Sequence, residues 1–270
     1  MMIDARIAEA YISGEDLERY KDDWIYYCFG RQSVFESPAP ENRGWVSELY
    51  KKIREELENF APRNGETVKQ LFPQFDRVTG GCTIRLVVGF PDPYDAMVLE
   101  HDGQPCLVFD LIQFQEGSLK NVNICSRILT HELIHLCLRE DYPVPQKMSY
   151  IEDLNYTAFN EGFAHALPYP ENFQDFVFTE FLEEKFRAAK DTLWAALAET
   201  NPEKQAFYSK TADTGMYWNK FAAMAGKLYL LRHINELERI YREGWCDFAA
   251  RILEDEERGS ERADLEKAGL

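Results

Sequence analysis

Apolar positions recur at helical spacing over residues 4–20 and again over 42–60, where Val46, Leu49, Ile53, Leu57 and Phe60 form one stripe. Pro38, Pro40, Pro62 and Pro73 punctuate these helices. The period then shortens. Thr83-Ile84-Arg85-Leu86-Val87-Val88-Gly89-Phe90 is β-branched and apolar, Ala96 to Glu100 reads as a second strand, and Pro105 to Phe114 as a third. His101-Asp102-Gly103-Gln104 supplies a turn, with His101 expected in solvent. The pattern predicts a small sheet of consecutive antiparallel strands, closed by Gly117-Ser118.

Helical spacing returns from Asn121 to Glu140, and Pro143 and Pro145 forbid its continuation. Val122, Cys125, Leu129, Leu133 and Leu136 form one stripe, and Ile124, Ile128, His131 and His135 another. A helix apolar on nearly every side belongs inside a protein. Its histidines must therefore find partners, because an unsatisfied buried polar group is costly. A further helix runs from Tyr150 to Leu167 and stops at Pro168. Helices follow at about 172–199, 203–211, 214–242 and 245–257, ending in a charged tail from Asp255 to Lys267. The order predicts an α+β fold in one domain: a helical part at 1–80, the sheet at 81–120, paired helices at 121–167 and a helical part at 168–270. The 270 residues are enough to bury such a core.

Composition narrows the functional classes. The chain is 45% hydrophobic and 29% charged, which excludes a disordered chain, and its 14% aromatic content points to large side chains in the interior. The formal charge of −17 argues against nucleic acid as a general partner, since phosphates are repelled; the acidity is expected to keep the surface soluble and is also compatible with basic substrates. Met1 to Lys21 mixes charges through its apolar positions, unlike a signal peptide, and no run reaches membrane-spanning length. The expected compartment is the cytoplasm, with no membrane partner. Six cysteines without C-x-x-C spacing read as reduced thiols, with Cys125 and Cys137 in the core.

The chemistry concentrates at His131-Glu132-Leu133-Ile134-His135. Residues four apart share a helix face, so the two imidazoles can grip one ion, with Glu132 beside them. A catalytic zinc site has three protein ligands and one open position, so one ligand must come from elsewhere. At the spacing of the H-E-x-x-H-x-x-G-x-x-H pattern stands Asp141, but Leu138 occupies the glycine position and is poorly suited to the turn. The better candidate is Glu161, within Asn160-Glu161-Gly162-Phe163-Ala164-His165 on the next helix. Gly162 and Ala164 are small enough for close helix approach there, and His165 shares the face of Glu161.

These residues together resemble the gluzincin group of zinc metallopeptidases, over roughly residues 105–167. The resemblance implies a zincin-like fold: a small, mostly antiparallel sheet on a buried active-site helix, with a mainly helical remainder. It implies peptide-bond hydrolysis with Zn2+ on His131, His135 and Glu161, and Glu132 as general base for a water on the ion. The substrate is then a peptide or protein, which could add along the strand from Cys106 to Phe114 as a cleft edge. Such sites also use a Tyr or His to stabilise developing charge; Tyr217 is the first candidate, then Tyr208 or His233. Three departures stand out. His165 occupies the place where relatives of the thermolysin kind carry an aspartate, the stretch between His135 and Glu161 is somewhat long for the group, and the Gly-x-Met-Glu-Asn signature of the related aminopeptidases is absent. Two alternatives compete with this reading, an inactive binding protein on the same fold and a di-iron carboxylate protein. The latter needs a second Glu-x-x-His element, which neither Glu152 nor Glu161 begins.

Overall fold

A computed structural model describes residues 1–92, 94–114 and 124–255, the side chains of 124 and 125 excepted. The expected Gly117-Ser118 turn, the helix start at 121–123, the Cys125 thiol and the tail beyond 255 lie outside the described residues. In chain order the first elements are β1 (Met2–Asp4), α1 (Arg6–Ser13), α2 (Arg43–Glu58), α3 (Gly65–Leu71) and α4 (Phe75–Gly80). Strands β2 (Thr83–Val87), β3 (Ala96–His101) and β4 (Gln104–Asp110) follow, then α5 (Ile124–Asp141) and α6 (Tyr150–Ala166). The remainder holds α7 (Glu180–Leu197), α8 (Pro202–Thr211), α9 (Phe221–Arg232) and α10 (Leu237–Glu243), with residues 248–255 helical. The architecture is α+β. The elements group into one unit of Met1–Pro62 with Pro73–Cys137, and another of Arg63–Phe72 with Leu138–Leu270.

The first unit holds a four-stranded sheet in the order β1-β2-β4-β3. Only β3 and β4 run antiparallel, through the Asp102-Gly103 turn, where both residues take the positive φ that a tight hairpin requires. The β1–β2 and β2–β4 pairings are parallel, which corrects the expected antiparallel meander. Two physical facts explain the difference. β1 is three residues long, too short to show a period, and the sequence there reads as helix. β2 is buried along almost its whole length, as a strand flanked on both sides is. β4 likewise has β2 on one side and β3 on the other, so its backbone is occupied and it is no cleft edge. The register sets Asp4 opposite Arg85, and Asp23 closes a two-pronged contact on that buried guanidinium at 2.8 Å for each nitrogen.

The ladder stops where a side chain replaces it. Asp110, at the end of β4, accepts the backbone N–H of Phe90 at 2.6 Å and that of Ile112 at 2.9 Å. Gln113 donates to the Phe90 carbonyl at 2.6 Å. The expected strands run on to Phe90 and to Phe114; in the structure Val88, Phe90, Leu111 and Phe114 stay buried but leave the sheet. Helix α2 follows its sequence stripe, burying Val46, Leu49, Ile53 and Leu57. The first expected helix is shorter than 4–20, because Gly14 turns the chain at φ 81°. His101 is exposed, as expected, and lies flat against Trp24 with ring centroids 4.1 Å apart.

In the second unit, Ser149 and Glu152 form a reciprocal capping box that starts α6. α6 crosses α9 at two glycines: a Cβ on Gly162 would stand 3.0 Å from the Gly226 Cα, and one on Gly226 only 1.9 Å from the Ala158 carbonyl oxygen. Phe159, Phe163, Tyr142, Tyr241 and Phe248 pack edge-to-face around this crossing, a preferred aromatic geometry. The expected helix at 172–199 begins only at Thr179, whose hydroxyl caps α7, and the run at 214–242 divides into a 3-10 turn at Tyr217–Asn219, α9 and α10. At the end of α9, His233 and Arg232 both pair with Asp255. No helix among the described residues is long and apolar enough to cross a membrane.

Candidate metal centre

Helix α5 buries Leu129, Leu133, Ile134, Leu136, Cys137 and Leu138, as its apolar pattern requires. Within that setting His131 and His135 are one turn apart, and their rings meet edge-on with centroids 4.6 Å apart. Their Nε2 atoms face each other at 3.0 Å. His135 is 7% exposed and His131 half-buried. One nitrogen of each histidine and a carboxylate oxygen of Glu161 all lie within 4.8 Å of one another.

The donor set suits a zinc-like ion. Two nitrogens at about 2.0–2.1 Å from a tetrahedral centre stand about 3.3 Å apart, close to the observed spacing of the imidazole pair. Two imidazoles and one carboxylate are also the ligand types of hydrolytic zinc sites, in which three protein ligands accompany one position for solvent or substrate. Asp213, half-buried, has its carboxyl pushed up by burial and by the negative charge of Glu161, so two acids share this neighbourhood.

Glu132 is half-buried on the turn that carries His131. His165 is not part of the three-atom group; its Nε2 lies 3.6 Å from Oε2 of Glu161, within reach of that carboxylate. Its ring in turn meets Tyr217 edge-on at 5.6 Å. Tyr217 is thus joined to the centre through His165 and Glu161. The other expected residues have different partners. Tyr208 packs against Phe221, and His233 is engaged by Asp255 at 2.6 Å and Glu236 at 3.2 Å. Asp141 is exposed and accepts the Tyr241 hydroxyl at 2.6 Å, so it is no third ligand. Glu152 serves its capping box.

Two nearby residues escape a reading of the sequence. Asp213 lies in a connection with no pattern to mark it. Lys227 does carry a signal: it interrupts the apolar run of α9, where an ammonium needs a reason to be buried. Its Nζ donates to the Tyr217 hydroxyl at 2.6 Å.

No protein-family model, curated protein or solved structure matches this chain.

Proposed function

We propose that this chain is a zinc-dependent peptidase on a zincin-like scaffold, related in its chemistry to the gluzincins. The observation that carries the reading is that one donor atom each of His131, His135 and Glu161 lies within 4.8 Å of the others. Three acid and imidazole donors gathered on largely buried helices are costly to assemble without an ion. Zinc held there would supply Lewis-acid polarisation of an amide carbonyl and a more acidic water. The chain supplies the rest. His131 and His135 from one helix turn, together with Glu161, would hold the ion, and His165 lies beside the Glu161 carboxylate. Glu132 takes a proton as water attacks the carbonyl carbon, and returns it to the nitrogen as the C–N bond breaks. Tyr217 donates a hydrogen bond to the carbonyl oxygen as negative charge gathers there. The substrate is a peptide or protein, and the formal charge of −17 favours basic ones.

Metal analysis of the purified chain tests this, together with cleavage of a mixed peptide library. The wild type should hold close to one zinc per chain and cleave. Glu161→Ala should lose most of the zinc. Glu132→Gln should keep the zinc and lose at least about a hundredfold in kcat. Full zinc in the first variant, or full activity in the second, would defeat the proposal.

A further inference from the structure

Every residue of α9 from Phe221 to Leu231 is buried, and Lys227 alone among them carries a charge. It is 1% exposed. Its ammonium stands 3.8 Å from the centroid of the Tyr169 ring, 5.9 Å from that of Trp218, and 2.6 Å from the Tyr217 oxygen. An ammonium has three donors and no acceptor, so at this contact the phenol oxygen must accept. The phenol's own hydrogen is therefore turned away from Lys227. Rotation of the phenol is restrained as well, because the ring is held edge-on to His165, whose Nε2 is 3.6 Å from Glu161.

We infer that Lys227 is a positioning residue for the hydrolysis proposed above: it holds Tyr217 as a directed, polarised hydrogen-bond donor for the carbonyl oxygen of the substrate amide. The inference rests on the peptidase reading. A donation from a cation draws electron density from the phenol oxygen and strengthens the hydrogen bond the phenol makes in turn. Tyr217 itself is exposed in the turn that precedes α9, open to a substrate, while Lys227 is buried.

The experiment uses the full chain and two readouts. In the zinc-loaded protein, Tyr217→Phe should lower kcat about a hundredfold, the range for loss of one such donor. Lys227→Met should lower kcat about tenfold, with KM within twofold and zinc content unchanged. Lys227→Gln, which keeps a donor without the charge, should fall between. The double variant should be no slower than Tyr217→Phe alone, because Lys227 acts only through the phenol. In the metal-free protein, tyrosine labelled with 13C at Cζ should give a Tyr217 resonance, assigned by its loss in Tyr217→Phe, that shifts in Lys227→Met. Losses that multiply in the double variant, or a Cζ resonance that does not move, would overturn the inference. A wild type that neither binds zinc nor cleaves peptides ends the peptidase reading, and the catalytic role of Lys227 with it. The resonance then reports the Lys227–Tyr217 bond alone.

Discussion

Asp110 shows how far one residue's surroundings can move its chemistry away from the centre. Burial pushes its carboxyl up to about 7, against the pull of the backbone N–H groups it accepts. In the unfolded chain an aspartate titrates near about 4. Between these values the folded state binds more protons than the unfolded one, so this group makes stability fall as pH rises from about 4 to about 7. A tenfold change in proton affinity between the two states is worth about 1.36 kcal/mol, which makes the effect a few kcal/mol across that window. Asp110→Asn removes the titration while keeping one acceptor for the loop. Urea unfolding of both proteins at several pH values should show the wild type losing stability relative to the variant as pH increases through the window. Parallel pH profiles would show that Asp110 is ionised throughout.

Between elements, the contact with least tolerance is the crossing of α6 and α9. The backbones meet at Gly162 and Gly226, and an added methyl at Gly226 would run into the Ala158 carbonyl, which cannot move without shifting the helix. Gly226→Ala should cost about 3 kcal/mol in chemical denaturation, the upper end for overpacking. It should also weaken metal binding, because Glu161 is the residue next to Gly162 on the displaced helix. Unchanged stability in that variant would mean the helices separate freely at this point. The sequence marks Gly162 as a place of close approach, yet Gly226 as its partner is not legible there, since nothing local says which helix arrives. The same limit applies to the sheet. Local pattern locates β2, β3 and β4, but it does not say that β2 pairs with β4 in parallel while β3 takes the outer edge, and β1, eighty residues away, is too short to carry a pattern. The metal residues are legible because their spacing is itself the geometry: His131 and His135 share a helix face by periodicity. Glu161 follows from composition near a helix with small neighbours. His165 is expected on the face of Glu161 and is found against it. Tyr217 is legible only as a candidate donor, and its link through His165 emerges only in three dimensions.

For the molecule as a whole, a net charge of −17 makes any divalent cation a stabiliser to some degree, by relieving self-repulsion of the folded state. A specific site must therefore be distinguished from general screening. Zinc that binds the folded chain at 100 times its dissociation constant adds about 2.7 kcal/mol. For a chain of this length that raises Tm by about 5–10 °C. Magnesium at the same concentration, which prefers oxygen ligands in octahedral geometry, should give the screening contribution alone. Glu161→Ala removes one acidic side chain out of 47 and barely alters the overall charge, yet should abolish the zinc-specific part of the Tm increase. Thermal melts of both proteins in chelator, in zinc and in magnesium separate the two effects. If magnesium stabilises the wild type as much as zinc does, or if Glu161→Ala responds to zinc as fully as the wild type, the cation is acting on the acidic surface and the gathered His131, His135 and Glu161 do not hold it.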